Sequence, residues 1–164
     1  MKNVKMKGLS GREMAVVSSL ELEGKRFFSK ADIRRFFCSA GEMAVYIHRL
    51  RRKGRIERVN KDRYYLIPLQ AYHGWVEHPF VVADEIFGGK AYYIGGKAAA
   101  HYWRLTDQVP AIIDVFSHTR QGTKKILGTV FTFRRIRKMR VAVRREINGH
   151  HFLIATRKES NIWK

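Results

Sequence analysis

The side chains able to do chemistry in this 164-residue chain are overwhelmingly cations: 33 Lys and Arg stand against 14 Asp and Glu, a formal net charge of +19. So large an excess repels itself in a compact state unless a polyanion neutralises it. Nucleic acid is therefore the expected partner, with an anionic membrane surface second. The cations fall into two concentrations. One is Arg49-Leu50-Arg51-Arg52-Lys53, followed by Arg55, Arg58, Lys61 and Arg63. The other is the window 120–145, which holds Arg120, Lys124, Lys125, Arg134, Arg135, Arg137, Lys138, Arg140, Arg144 and Arg145 and no acid. A solvated face ordinarily mixes both signs, so this window reads as a second nucleic-acid surface. Residues 1–67 carry 17 Lys and Arg against 7 acids and the remainder 16 against 7, so both halves are basic.

Other chemistries fare worse. His73 and His78 are five apart, and His150-His151 are neighbours that a strand would point to opposite faces; with a single cysteine, no zinc-site spacing exists and no metal is expected. A nuclease needs clustered acids to hold Mg²⁺. Glu77, Asp84, Glu85, Asp107, Asp114, Glu146 and Glu159 form no Asp…Glu-x-Lys cluster. Gly88-Gly89-Lys90 and Gly95-Gly96-Lys97 invite a phosphate-loop reading, but Ala98 stands where a hydroxyl is needed. They read as helix caps and a turn. Tyr92, Tyr93, Tyr102 and Trp103 fit either a base-stacking platform or a core, and their alanine neighbours favour core. No cofactor and no enzymatic activity are expected.

The elements that must position the cations follow from pattern. Ser10 caps a helix through Glu13, Met14, Val17, Leu20 and Leu22, closed by Gly24. Lys25-Arg26-Phe27-Phe28 joins it to Ser29, the cap of a second helix in which Asp32 sits three residues on and Ile33, Phe36 and Phe37 form one face. After Ser39-Ala40-Gly41, the spacing predicts a helix over 40–53 with Met43, Ile47 and Leu50 inward and Glu42, Val45, His48, Arg49 and Arg52 outward; Gly54 ends it. Runs 55–59 and 63–67 flank Asn60-Lys61-Asp62 as a hairpin. Two helices at a short turn followed by a basic hairpin outline a winged helix-turn-helix. The DNA-contacting residues expected from it are Ser29, Lys30, Arg34, Arg35, Ser39, Glu42, Val45, Tyr46, His48, Arg49, Arg52, Lys53, Arg55, Arg58, Asn60, Lys61 and Arg63.

Downstream, residues 69–75 read as a linker, with a boundary at 68–74. A short helix over 79–86, a strand over 91–94, an alanine-rich helix over 97–105, and strands over 111–117 and 129–137 follow. Asn148-Gly149 between Val141-Ala142-Val143 and Phe152-Leu153-Ile154-Ala155 is a strong hairpin signal. The fold class expected is α+β: a basic arm over 1–8, a winged helix-turn-helix over 9–68, and a small basic α/β domain with a hairpin-rich sheet over 69–164. Cys38, just before the turn, reads as a small buried hydrophobe. With one cysteine, no apolar run of membrane length and no apolar signal core at the N-terminus, the location expected is the cytoplasm.

This order resembles the AbiEi-type antitoxins, transcriptional regulators of abortive-infection (type IV) toxin–antitoxin loci. The residues that carry the likeness are the wing strand Arg63-Tyr64-Tyr65-Leu66-Ile67-Pro68, His78-Pro79-Phe80, Gly96 before the Ala-Tyr/Trp-rich helix, and the Thr-x-Gln-x-Pro element Thr106-Asp107-Gln108-Val109-Pro110. Ala155-Thr156-Arg157-Lys158-Glu159 approximates the start of a further family segment. The resemblance spans residues 25–160. It implies an antitoxin that represses its own promoter, functionally linked to a nucleotidyltransferase-type toxin without required contact. The expectation is a sequence-specific double-stranded-DNA regulator, with a homodimer as a further candidate assembly. A nucleic-acid-processing enzyme and a non-specific architectural DNA- or RNA-binding protein, each docking through the winged helix, are the alternatives.

Overall fold

Ser10 and Glu13 begin the first element by satisfying each other. The Glu13 carboxylate accepts from the Ser10 amide at 2.6 Å, and the Ser10 hydroxyl accepts from the Glu13 amide at 3.4 Å. This box caps α1 (Gly11–Leu22). The computed structural model describes residues 8–68 and 77–163. Residues 1–7 of the expected arm, and the expected linker with its His73, lie outside the described residues. The chain divides into two compact units, Met1–Trp75 and Val76–Lys164, each combining helices with a sheet, so the fold is α+β.

In the first unit, α1 is followed by β1 (Phe27–Ser29), α2 (Lys30–Ile33) with a 3-10 turn over Arg34–Phe36, α3 (Ala40–Arg52), β2 (Ile56–Arg58) and β3 (Arg63–Leu66). The three strands form an antiparallel sheet in the order β1-β3-β2, with Phe28 opposite Tyr64 and Ile56 opposite Leu66. Val16, Val17 and Leu20 of α1, Ile33, and Met43, Ile47 and Leu50 of α3 bury against one another and against Phe28, Ile56 and Leu66. Gly54 at φ +68 closes α3. Two details differ from the sequence expectation. The helix expected to carry Ile33, Phe36 and Phe37 breaks up, because Phe37 is extended (φ −135°, ψ 140°). Extended backbone sends successive side chains to opposite sides. Phe37 is thus buried while Cys38, expected inside, is exposed. The second difference is β1 itself, which was expected to be a plain connection.

The second unit contains α4 (Pro79–Phe87), β4 (Tyr92–Gly95), α5 (Gly96–Tyr102), β5 (Ile112–Ser117), β6 (Gly122–Ile126), β7 (Thr129–Arg135), β8 (Ala142–Ile147), β9 (His150–Ala155) and α6 (Arg157–Ser160). Its strands form one mixed sheet in the order β6-β7-β5-β4-β9-β8. The pairs β4–β9 and β5–β7 are parallel and the rest antiparallel. Asn148 and Gly149, both left-handed, make the β8–β9 turn. The parallel pairings and β6 were not expected, and α5 stops three residues earlier than its alanine pattern indicates. The two glycines before Lys97 allow close approach: a Cβ on Gly95 would lie 2.6 Å from the Phe116 ring, and one on Gly96 2.4 Å from the Asp114 carboxylate. Among the described residues no helix is long and apolar enough to cross a membrane.

The orientation of α3 rests on its buried stripe. Ile47→Asp places an unpaired charge in a small core, at a cost of several kcal/mol. The expected result is loss of the first unit's cooperative melting transition; wild-type melting would mean that Ile47 is not buried.

Candidate nucleic-acid interface

At 3.6 residues per turn, Val45, His48, Arg49 and Arg52 fall within about 100° of the α3 circumference, opposite Met43, Ile47 and Leu50. All four are exposed, Val45 at 48%. Ser39 caps the helix, its hydroxyl accepting from the Glu42 amide at 3.1 Å. The result is one outward strip with an apolar contact, an imidazole and two guanidinium groups.

Glu42, Tyr46 and Lys53 lie on the flank of the same helix, about 60–100° from Val45, and each is half-buried and committed within the protein. Glu42 pairs with Arg12 and accepts from the Cys38 amide at 2.9 Å. Tyr46 packs on Phe37, and Arg12 and Arg49 stand over its ring at 5.7 and 5.4 Å. Lys53 donates to the buried Glu13 carboxylate at 2.5 Å and to the Gly8 carbonyl at 2.9 Å. Burial alone would raise the Glu13 pKa, but the Lys53 ammonium and the Ser10 amide outweigh it and hold the carboxyl below its usual value. Glu42 and Lys53 therefore serve contacts within the first unit. So does Arg55, which is only 4% exposed and faces Glu21 at 4.0 Å.

The remaining expected contacts divide in the same way. Around α2, the Asp32 carboxylate accepts from both the amide and the hydroxyl of Ser29 at 2.7 Å, which holds its pKa down at about 2. Arg34 donates to the Phe37 carbonyl at 2.5 Å. Arg35 pairs with Glu23 and donates to the Ser19 hydroxyl. Lys30 is exposed. In the hairpin, the Asn60 side chain accepts from the amides of Asp62 and Arg63 at 2.8 and 2.9 Å, building the turn. Arg58 donates to the carbonyls of Asn60 and Lys61 at 2.9 and 3.1 Å. Lys61 at the tip is exposed, and Arg63 is half-buried opposite Ser29. Arg12 is the addition that sequence reasoning missed; no local pattern marks it, because only the packing of α1 on α3 brings it to Tyr46.

In the second unit, strand alternation scatters the basic window. Register places Lys125, Arg134 and Arg144 on the sheet face shared with Asp114 and Glu146, and Lys124, Arg135 and Arg145 on the face shared with Phe131 and Phe133. Several are occupied. Arg134 donates to Asp114 at 2.8 Å, Arg140 to Glu159 at 2.8 Å, Arg145 stands over Trp103 at 5.1 Å, and the half-buried Arg120 over Phe87 at 5.4 Å. Arg137 and Lys138 are exposed between β7 and β8. The window is therefore no single continuous stripe. Tyr92 and Tyr93 are core residues; burial pushes the Tyr92 hydroxyl well up and the Tyr93 hydroxyl up, and Tyr92 donates to Asp84 at 2.7 Å. The Asp84 carboxylate also faces His150 at 3.2 Å. Among the described residues no three His, Cys, Asp or Glu side chains group as metal ligands.

No protein-family model matches the chain, and no curated protein matches it.

The geometry separates two neighbouring cations. Lys53→Ala strands the buried Glu13 charge and should destabilise the first unit by about 3 kcal/mol. Arg52→Ala should leave melting within about 0.5 kcal/mol of wild type and weaken duplex binding by about 1–3 kcal/mol. Thermal melts paired with fluorescence-anisotropy titrations read both. Equal effects of the two variants on stability would contradict the division.

Proposed function

We propose that the first unit is a winged helix-turn-helix and that the chain is a sequence-specific regulator that binds double-stranded DNA. One observation carries this reading: Val45, His48, Arg49 and Arg52 share one exposed strip of α3, held outward by the buried stripe behind it. A recognition helix entering the major groove needs such a strip. Arg takes guanine edges bidentately, and an apolar side chain takes the thymine methyl. Lys61 at the tip of the β2–β3 hairpin, with Lys30, then meets phosphate and sets the register without specifying sequence. In the second unit, Arg137 and Lys138, exposed between β7 and β8, are candidates for added phosphate contacts.

The antitoxin reading joins this proposal through the resemblance to AbiEi-type regulators over residues 25–160. It makes the operator the chain's own promoter, makes a nucleotidyltransferase-type toxin the functional partner, and places the action in the cytoplasm. A homodimer on a two-fold operator is the assembly that suits a regulator of this kind. The role is binding; no catalytic step is assigned.

Gel-shift selection from genomic fragments, followed by footprinting, tests the reading. A discrete protected site that survives competitor DNA is expected. Uniform coating would replace the regulator by an architectural protein, and strand cleavage by an enzyme. The salt dependence adds a quantitative outcome. Each phosphate neutralised contributes about 0.9 to the slope of log affinity against log salt. Replacing Arg137 and Lys138 by Ser should therefore lower the slope by up to about two units with sequence preference intact. An unchanged slope removes these cations from the DNA interface.

A further inference from the structure

A cleft of about 530 Å³ lies in the second unit between the start of α4 and the end of α5, lined by His78, Phe80, His101, Tyr102, Arg104 and Asp107 among others. Its volume is in the range of small-molecule sites. Arg104 is its most informative residue. The ends of α1, α3 and α5 share one hydrogen-bond pattern: Lys25 to Leu20, Arg55 to Leu50 and Leu105 to Ala100, each amide to carbonyl at 2.9 Å. In that pattern the residue before the donor is left-handed. It is Gly24 at φ +64 after α1, Gly54 at φ +68 after α3, and Arg104 at φ +55 after α5. Glycine accepts this conformation freely, whereas an L-residue pays for its Cβ. The chain thus places a long cation in a strained slot where it elsewhere uses glycine, and that slot borders the cleft. An observed outlier of this kind points to a function for the side chain.

The other lining groups supply donors. His78 Nδ1 accepts from the Phe80 amide at 3.2 Å, so its ring proton sits on Nε2. The Thr106 oxygen accepts from the Gln108 amide at 3.3 Å, leaving its O–H proton to donate. His101 adds a second imidazole, and the N-terminal pole of α4 lies beside His78. The aromatic rings of Phe80 and Tyr102, 5.9 Å apart, provide an apolar wall. Asp107, the acid of the lining, repels a bare phosphate anion and can accept from a sugar hydroxyl.

We propose that this cleft binds a nucleoside 5′-phosphate, the phosphate held by Arg104 with His78 and His101, and a sugar hydroxyl by Asp107. The same phosphomonoester occurs on a free mononucleotide and at the 5′ end of a nucleic-acid strand. The cleft belongs to the second unit and α3 to the first, and the proposal does not depend on duplex binding.

Calorimetric titration of the intact chain with AMP, adenosine and inorganic phosphate at physiological salt tests it. AMP should bind saturably, at least about tenfold tighter than either adenosine or phosphate. Arg104→Gly relieves the left-handed strain, so its melting temperature should equal or exceed wild type while AMP affinity falls at least about tenfold. Arg104→Asn, which also tolerates this backbone, serves as the second variant should the glycine substitution unfold the unit. Lys158→Ser, which removes an exposed cation elsewhere on the unit, should leave AMP affinity unchanged. No saturation with AMP in the millimolar range, undiminished affinity in both Arg104 variants, or an equal loss in Lys158→Ser would overturn the proposal. Phosphate binding as tightly as AMP would overturn its nucleoside part. Comparison with 5′-phosphorylated and 5′-hydroxyl dinucleotides then distinguishes the sources: preference for the phosphorylated dinucleotide over AMP assigns a strand end, and the reverse a free nucleotide.

Discussion

Burial of Met43, Ile47 and Leu50 against α1 and the small sheet is the contact on which the candidate interface depends. Each such side chain contributes about 1.5–3 kcal/mol when taken from water, so rotation of α3 about its axis would cost several kcal/mol. That barrier fixes which residues face outward. A helix turned by one residue, about 100°, would bring Glu42 and Tyr46 outward and withdraw His48 and Arg52. The side chains proposed to read DNA are thus positioned by residues that never touch it.

Charge is managed by the same packing. Five of the seven acids in residues 1–67 face cations of this unit: Glu13 faces Lys53, Glu21 Arg55, Glu23 both Lys25 and Arg35, Asp32 Lys25, and Glu42 Arg12. These pairs neutralise cations spread from α1 to the start of β2. Exposed pairs of this kind add little stability. The Lys53–Glu13 pair differs because its acid is buried and receives the Ser10 amide as well. It ties the last turn of α3 to the first turn of α1.

Much of the first unit was legible in the sequence because its signals are local and agree. The Ser10 cap, the α3 stripe, the closing glycines and the Asn60 turn each belong to a pattern spanning a few residues. What the sequence hid depends on tertiary contacts. β1 is three residues long, too short for alternation to show, and exists through its pairing with β3. Cys38 is outside because Phe37 turns in. Lys53, Arg55 and Glu42 read as surface charges since their partners lie 40, 34 and 30 residues away. In the second unit, the parallel β4–β9 and β5–β7 pairings join distant segments and leave no periodic trace. The same register explains why a one-signed basic window became several separate groups. The Arg104 strain was equally invisible, because an alanine-rich run up to Leu105 reads as continuous helix.

Amide chemical-shift mapping of the intact chain during titration with its footprinted duplex tests whether α3 reads DNA. The largest perturbations are expected on Val45, His48, Arg49 and Arg52, with a smaller set at Lys61, while Met43, Ile47 and Leu50 move only as their helix neighbours do. Perturbations confined to the second unit, or centred on the α1 face of the first, would contradict the assignment of α3 as the reading helix.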